Sequence, residues 1–204
     1  MMICTYPKEV RPPRLNQLRA LGYKTFETTD FDLNLIGVRS RIRTPGRFDD
    51  AFYCIYLDRG QWIEEKYICT VDPSAEQHLD PTNPKGVAIL KAGQYRGVYK
   101  LDMHRGKYLA LCQRNGEVTV YRDNTHDLRS DHSEDNPSIR EESGMFGINI
   151  HRAHESLIKT STKWYSMGCT VIQHPADFAR LISLCQMQVD LLGYDTFTYT
   201  LLED

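Results

Sequence analysis

Short apolar runs separated by polar turns dominate the middle of the chain. Ala51–Leu57, Lys66–Val71, Val87–Leu90, Tyr95–Leu101, Lys107–Gln113 and Glu117–Arg122 are rich in Tyr, Val and Ile, and each predicts a β-strand. Asn115-Gly116, between the last two, predicts a hairpin turn. Phe146–His151 and Gly168–Ile172 predict two further strands, and the alternating Thr196–Leu202 a closing one. Helical spacing is rarer. Leu15, Leu18 and Leu21 recur at threes behind Pro12-Pro13 and stop at Gly22. Pro175 opens a stronger helix through Phe178, Leu181, Ile182, Cys185 and Val189, ended by Gly193. Two stretches lack any period: Pro73–Gly86, punctuated by Asp-Pro and Asn-Pro pairs, and the acidic Asp123–Gly144. The second is long enough to expect a lid, a binding loop or a disordered segment. No repeat of 20 to 50 residues is found. The pattern predicts a mainly β (α+β) fold with a few short helices and one C-terminal helix. Residues 1–72 are expected as an N-terminal α/β extension packed on a core of residues 73–204.

Composition narrows the class. With 204 residues, 41% hydrophobic and 25% charged, the chain can bury a core without staples. A net charge of -2 gives no ground to expect nucleic-acid binding. No apolar run approaches the about 18 residues of a membrane span. MMICTYPKEV lacks the basic start and apolar stretch of a secretory signal, so the chain is expected to be made in the cytoplasm. Residues 1–47 hold Lys8, Lys24 and seven arginines (Arg11, Arg14, Arg19, Arg39, Arg41, Arg43, Arg47) against four acids. They are spread out, which predicts a solvated face, with a weak surface for an anionic partner as the alternative. The six cysteines show no CxxC pair, which excludes a zinc ribbon or thioredoxin-type motif. Cys54, Cys69, Cys112 and Cys185 sit in apolar stretches and are expected as buried thiols.

Two segments carry candidate chemistry. In the strand predicted over Gly147–Arg152, Ile148 and Ile150 would face the core, leaving Asn149 and His151 on the other face with Arg152 just beyond. In Lys163–Thr170, Cys169 follows Gly168 at the start of an apolar strand, where backbone N–H groups of Met167, Gly168 and Cys169 can face an oxyanion. A thiol is a useful nucleophile when an imidazole or cation activates it, and His151 is the candidate base. The bland alternatives are a surface histidine and a strand-end thiol.

Together these segments resemble the signature of the L,D-transpeptidase catalytic domain (the YkuD-type family). There, a histidine in a G-I-x-H-like context is followed, after about 14 to 17 residues, by Ser/Thr-x-Gly-Cys. Here fourteen residues separate His151 from Ser166-Met167-Gly168-Cys169. The resemblance covers about Val87–Ile172, and its specific part is Phe146–Ile172. It implies an L,D-transpeptidase-like β-sandwich or barrel, with residues 73–204 as catalytic domain and no cofactor. The implied activity is cysteine-dependent acyl transfer on peptidoglycan stem peptides, with hydrolysis expected over cross-linking. Catalytic candidates are Cys169, His151, Ser166 and Gly168, with Ser166 or Asn149 orienting the imidazole unless a backbone carbonyl does so. Substrate-binding candidates are Asn149, Arg152, Arg122, Trp164 and Met167. Two positions depart from the family pattern: Met167 stands where a histidine or polar residue is usual, and Val171 where an arginine holds the substrate carboxylate. Val120–Asn124 and Trp164–Ser166 are similar to segments of bacteriophage proteins, which implies a phage-encoded, divergent member that is virion-associated or released to the wall.

Three other readings compete. Zinc could be held by His104, His126, His132, His151 and His154 with Asp123 and Asp127, although no HExxH is present. Asp123, Thr125 and Asp127 alternate like the first ligands of a calcium loop, with Leu128 and Glu134 at its sixth and twelfth positions; Leu128 replaces the required glycine, so a solvated loop is expected. The third reading keeps the fold without the activity, as a non-catalytic cell-wall-binding or virion module.

Overall fold

Along Asp50–Asp58, Phe52, Cys54 and Tyr56 point one way and Tyr53, Ile55 and Leu57 the other, and all six are buried. A strand apolar on both faces must be covered on both, and this requirement sets the architecture. In the computed structural model, residues 1–132 and 136–204 are described. Their strands are β1 (Met2–Pro7), β2 (Asn34–Arg39), β3 (Asp50–Asp58), β4 (Gln61–Thr70), β5 (Val87–Leu90), β6 (Gly93–His104), β7 (Tyr108–Gln113), β8 (Val118–Asp123), β9 (Arg140–Gly144), β10 (Ile150–Arg152), β11 (Thr170–Ile172) and β12 (Thr196–Glu203). The helices are α1 (Pro13–Ala20), α2 (Ala75–Leu79) and α3 (Pro175–Leu192).

Eight strands close into a barrel in the order β2-β3-β4-β11-β10-β7-β6-β12, with β12 returning to β2. Closure leaves few unpaired strand edges. β10–β11 and β12–β2 are parallel, and the remaining barrel pairs are antiparallel. β1 extends the first half of β4. Phe52, Cys54, Tyr56, Tyr67, Tyr99 and Tyr199 fill the interior cluster, to which α3 adds Phe178, Leu181, Leu184 and Cys185. On the outer face of β2–β3, Leu15 and Leu18 of α1 cover Ile36, Ile55 and Leu57. A second sheet, β5-β8-β9, lays Ala88, Leu90, Val118 and Val120 on the main core.

The mainly β class and the C-terminal helix are as expected, and α3 ends at Gly193 with a left-handed φ of 74°. Cys54, Cys69, Cys112 and Cys185 are buried free thiols. Several expectations need correction. The boundary at residue 72 runs through a continuous sheet, because β2, β3 and β4 are staves of the same barrel as β6, β7 and β10–β12. Asn115-Gly116 does not turn a hairpin: β7 stays in the barrel while β8 crosses to the second sheet, and the Arg114 and Asn115 N–H groups donate to Val98 O. The stretch Asp123–Gly144 includes strand β9, whose polar sequence fits an edge carrying Lys85–Glu142 and Lys91–Glu141 ion pairs. Asp123 is buried and holds its own loop, accepting from Thr125 and from Asp131 N. Glu134 of the calcium-loop reading lies outside the described residues.

Arg39, at the end of β2, is 1% exposed and ties β2, β5 and β12 to the loop that follows β4. It donates to Asp72 Oδ1 (2.9 Å), to Glu203 Oε1 on β12 (2.9 Å) and to Leu90 O on β5 (2.8 Å). Removing one partner of a buried ion pair leaves the other charge desolvated and unpaired. Arg39→Met is therefore expected to cost about 3–5 kcal/mol of stability by urea denaturation; a loss below about 1 kcal/mol would show that the cluster does not lock the barrel.

Candidate active site

The parallel pair β10–β11 brings the two candidate segments side by side, with Ile150 opposite Thr170 and His151 opposite Val171. Ile148 and Ile150 enter the core as expected, but regular pairing begins only at Ile150. Upstream, the N–H groups of Phe146, Gly147 and Ile148 all donate to the side-chain oxygen of buried Gln113 (3.2, 2.9 and 3.1 Å). A glutamine oxygen thus takes the place of a partner strand. This frees Phe146–Asn149 from the pleat and lets it line a cavity.

That cavity, of about 290 Å³, is lined by Cys169, His151, Asn149, His104, Arg105 and Arg122, with Gln77, Phe146, Tyr165 and Met167 among the other walls. The Cys169 thiol donates to Gly147 O (3.5 Å) and accepts from Asn149 N (3.4 Å). Among the described residues no hydrogen bond joins it to His151. Burial pushes the thiol up to about 11, against the opposing pull of the Asn149 N–H. His151 is 5% exposed, and its Nδ1 is 2.9 Å from Arg152 O. A carbonyl only accepts, so Nδ1 carries the hydrogen and Nε2 is the basic nitrogen. Burial, and next the charge His104 would carry, lower His151 to about 3. The resting pair is therefore thiol and neutral imidazole.

The other candidates divide. Ser166 is fully buried beneath the turn: its hydroxyl is 2.9 Å from both Asp72 O and Cys169 O and accepts from Gly168 N (3.2 Å). It does not orient His151; the Arg152 carbonyl does. The Gly168 N–H is spent on that serine and is not an oxyanion donor, whereas the Met167 and Cys169 N–H groups donate to nothing among the described residues. Gly168 is required for space: its φ is +123°, and a Cβ would collide with Ala88 O. Arg122 lines the cavity but is paired with Glu142 (2.6 Å) and lies 4.6 Å over Phe146. Met167 lines the cavity too. Trp164 and Arg152 do not. They face an adjoining groove of about 430 Å³ with Arg105, Lys107, Tyr108, His154 and Glu155. Trp164 is 59% exposed, so it is no core aromatic. His104, Arg105, His151 and Tyr165 line both spaces, which places the imidazole at their junction.

The sequence reading missed Arg105 and Gln113, and it named His104 only as a zinc candidate, not as the neighbour of His151. The His104 ring stacks on His151, centroids 4.5 Å apart and planes 22° apart. Arg105 follows it at the β6–β7 turn, with φ +52° and no ion pair among the described residues. The positive-φ turn has no glycine before Gly106 to announce it, and the long spacing from His104 to His151 hides their stacking. Among the described residues no three His, Cys, Asp or Glu side chains form a metal-ligand set, so the zinc candidates are not gathered. No protein-family profile matches the chain, and no curated protein and no solved structure matches it either.

Four buried histidines, His78, His104, His132 and His151, are all lowered from their usual value, chiefly by burial. The unfolded chain binds their protons near pH 6.5, and the folded chain binds them more weakly. Stability is thus present above pH 6.5 and lost as pH falls, by about 1.4 kcal/mol per pH unit for each fully suppressed group. Thermal melts should show Tm dropping from pH 7 to pH 5, with a shallower drop in His151→Gln. A flat wild-type profile would contradict the suppression.

Proposed function

We propose that the chain performs cysteine-dependent acyl transfer on peptidoglycan stem peptides, as an L,D-peptidase or L,D-transpeptidase working through a thioester. The observation that carries this reading is the convergence of Cys169 and His151, from adjacent parallel strands, on one cavity. A barrel-containing, mainly β fold with a C-terminal helix is compatible with the L,D-transpeptidase resemblance. Because thiol and imidazole are both neutral at rest, the base must take the proton as the substrate binds. His151 Nε2 removes the Cys169 proton, and sulfur attacks the carbonyl between an L- and a D-centre. The Met167 and Cys169 N–H groups are the donors open to the oxyanion. The C–N bond then breaks, the leaving amine takes the proton back from His151, and a thioester remains. Water resolves it in a peptidase, and an amine in a transpeptidase.

The resemblance expects an arginine at position 171 for the substrate carboxylate. Val171 is fully buried, so a charge there would be desolvated without a partner. The cations of the adjoining groove, Arg105, Lys107 and Arg152, supply positive charge on the far side of His151. They suit a carboxylate on the leaving amino acid. A chain of this kind acts on the wall as a virion-associated or released protein.

One observation favours a second reading. The thiol is bonded to Gly147 O rather than to the base and stays protonated, which suits a wall-binding module that has kept the cavity without the chemistry.

A muropeptide digest separates the two. Wild type and Cys169→Ala are incubated with defined tetrapeptide and cross-linked muropeptides, with products read by mass spectrometry. A product made by wild type and lost in Cys169→Ala is expected, with His151→Ala slowed at least about a hundredfold. The product mass distinguishes trimming, cross-link cleavage and transpeptidation. Intact substrates with both proteins would favour the binding module.

A further inference from the structure

Asn149 uses all four of its polar groups. Its N–H donates to Cys169 Sγ (3.4 Å) and its carbonyl accepts from Thr170 N (2.9 Å). Its side-chain oxygen accepts from Gln113 N (2.8 Å), and its side-chain nitrogen faces His104 Nδ1 at 3.2 Å. The backbone N–H of Gln113 can only donate, so it fixes which end of the amide is oxygen. The amide nitrogen can then only donate toward His104, which must accept at Nδ1. His104 is thereby held neutral, with its hydrogen on Nε2. A proton on Nδ1 would set donor against donor, or force the amide to flip and abandon Gln113 N. This same ring lies 4.5 Å from His151.

We infer that His104 is a positioning residue of the site, a neutral Nε2–H imidazole fixed by Asn149 against which the His151 ring is stacked, so that the pair resists carrying two protons and His151 stays available as the base. The kinetic part of this inference rests on the acyl-transfer reading; the tautomer and the coupling of the two rings do not. The groups facing the pair act in the same direction. Arg105 beside both rings and Arg114 near His104 oppose protonation, and the neighbouring Tyr108 and Cys169 are neutral at pH 7. Arg152 O, which holds His151 Nδ1–H, is the opposing influence.

The test is imidazole nitrogen NMR on the full-length chain, followed by pH profiles of muropeptide turnover. Wild-type His104 should show the Nε2–H tautomer between pH 5 and 8, which needs no variant. Asn149→Asp replaces the amide donor with an acceptor, and His104 should then gain a hydrogen on Nδ1 and become cationic at neutral pH. His104→Phe keeps a stacked, uncharged ring, so the His151 titration midpoint should stay where it is in wild type. In turnover its acid limb should likewise stay in place, whereas His104→Ala, which removes the stacked ring, should lower kcat with KM little changed. A wild-type His104 hydrogen on Nδ1, or a His151 midpoint that rises in His104→Phe and so reveals a charge on His104, would overturn the inference. Absent turnover in wild type with both NMR results as expected would instead remove the acyl-transfer reading and leave the imidazole pair standing.

Discussion

Arg39 is the interaction on which the rest of the structure depends. A guanidinium taken out of water costs several kcal/mol, and only close, charge-assisted partners offset it. Here Asp72 does so from the loop after β4, Glu203 from β12 and the Leu90 carbonyl from β5. The end of β2, the end of β12, the exit of β4 and the edge strand β5 of the second sheet are therefore held to one geometry. The consequence reaches the site. Asp72 also offers its backbone carbonyl to the Ser166 hydroxyl, and Ser166 in turn holds Gly168 N and lies against Cys169 O. The turn that presents the thiol is thus moored, through two residues, to the buried cation of the barrel. Ser166 sits where a catalytic reading of Ser-x-Gly-Cys would place an active hydroxyl, yet its chemistry here is structural.

The site is electrostatically quiet at rest. A thiol pushed up to about 11 stays protonated at pH 7, and the imidazole that lines the same cavity is uncharged. Such a pair is protected from adventitious oxidation and alkylation, which attack thiolate. On the proposed acyl-transfer reading, reactivity comes from binding, because a substrate that excludes water and places a carbonyl above sulfur gives proton transfer to His151 a compensating bond. The quiet state brings acid lability, through several buried histidines whose protonation is disfavoured in the fold.

How much of this the sequence disclosed follows the range of the interactions. Thr196–Glu203, where Phe197, Tyr199 and Leu201 alternate into one core, was readable within a residue, and so was Val87–Leu90, a short apolar run buried on both faces. Asn34–Arg39, buried on both faces and interrupted by Gly37, has no period to read; Gly37 is there because the Tyr199 hydroxyl fills the space of a Cβ. Asn115-Gly116 carries a true turn preference, but the partner of β8 is β5, and pairing across sheets overrides a local turn signal. Cys169 and His151 were legible because their spacing lies within one crossover. His104 was not, since its stacking on His151 is made by the register of β7 between β6 and β10.

Gln113 shows how that register becomes chemistry. One side chain accepts three successive N–H groups of Phe146–Ile148, while its own N–H fixes the Asn149 amide. The first set bends the chain away from the barrel wall and opens the cavity. The second sets the protonation of His104 and, through Asn149 N, contacts the sulfur. A glutamate at this position would keep the oxygen but lose the donor to the half-buried Gly116 and Gly144 carbonyls. An alanine would leave three N–H groups facing the core. Neither can replace it, so a residue with no reactive group of its own determines where the reactive ones stand.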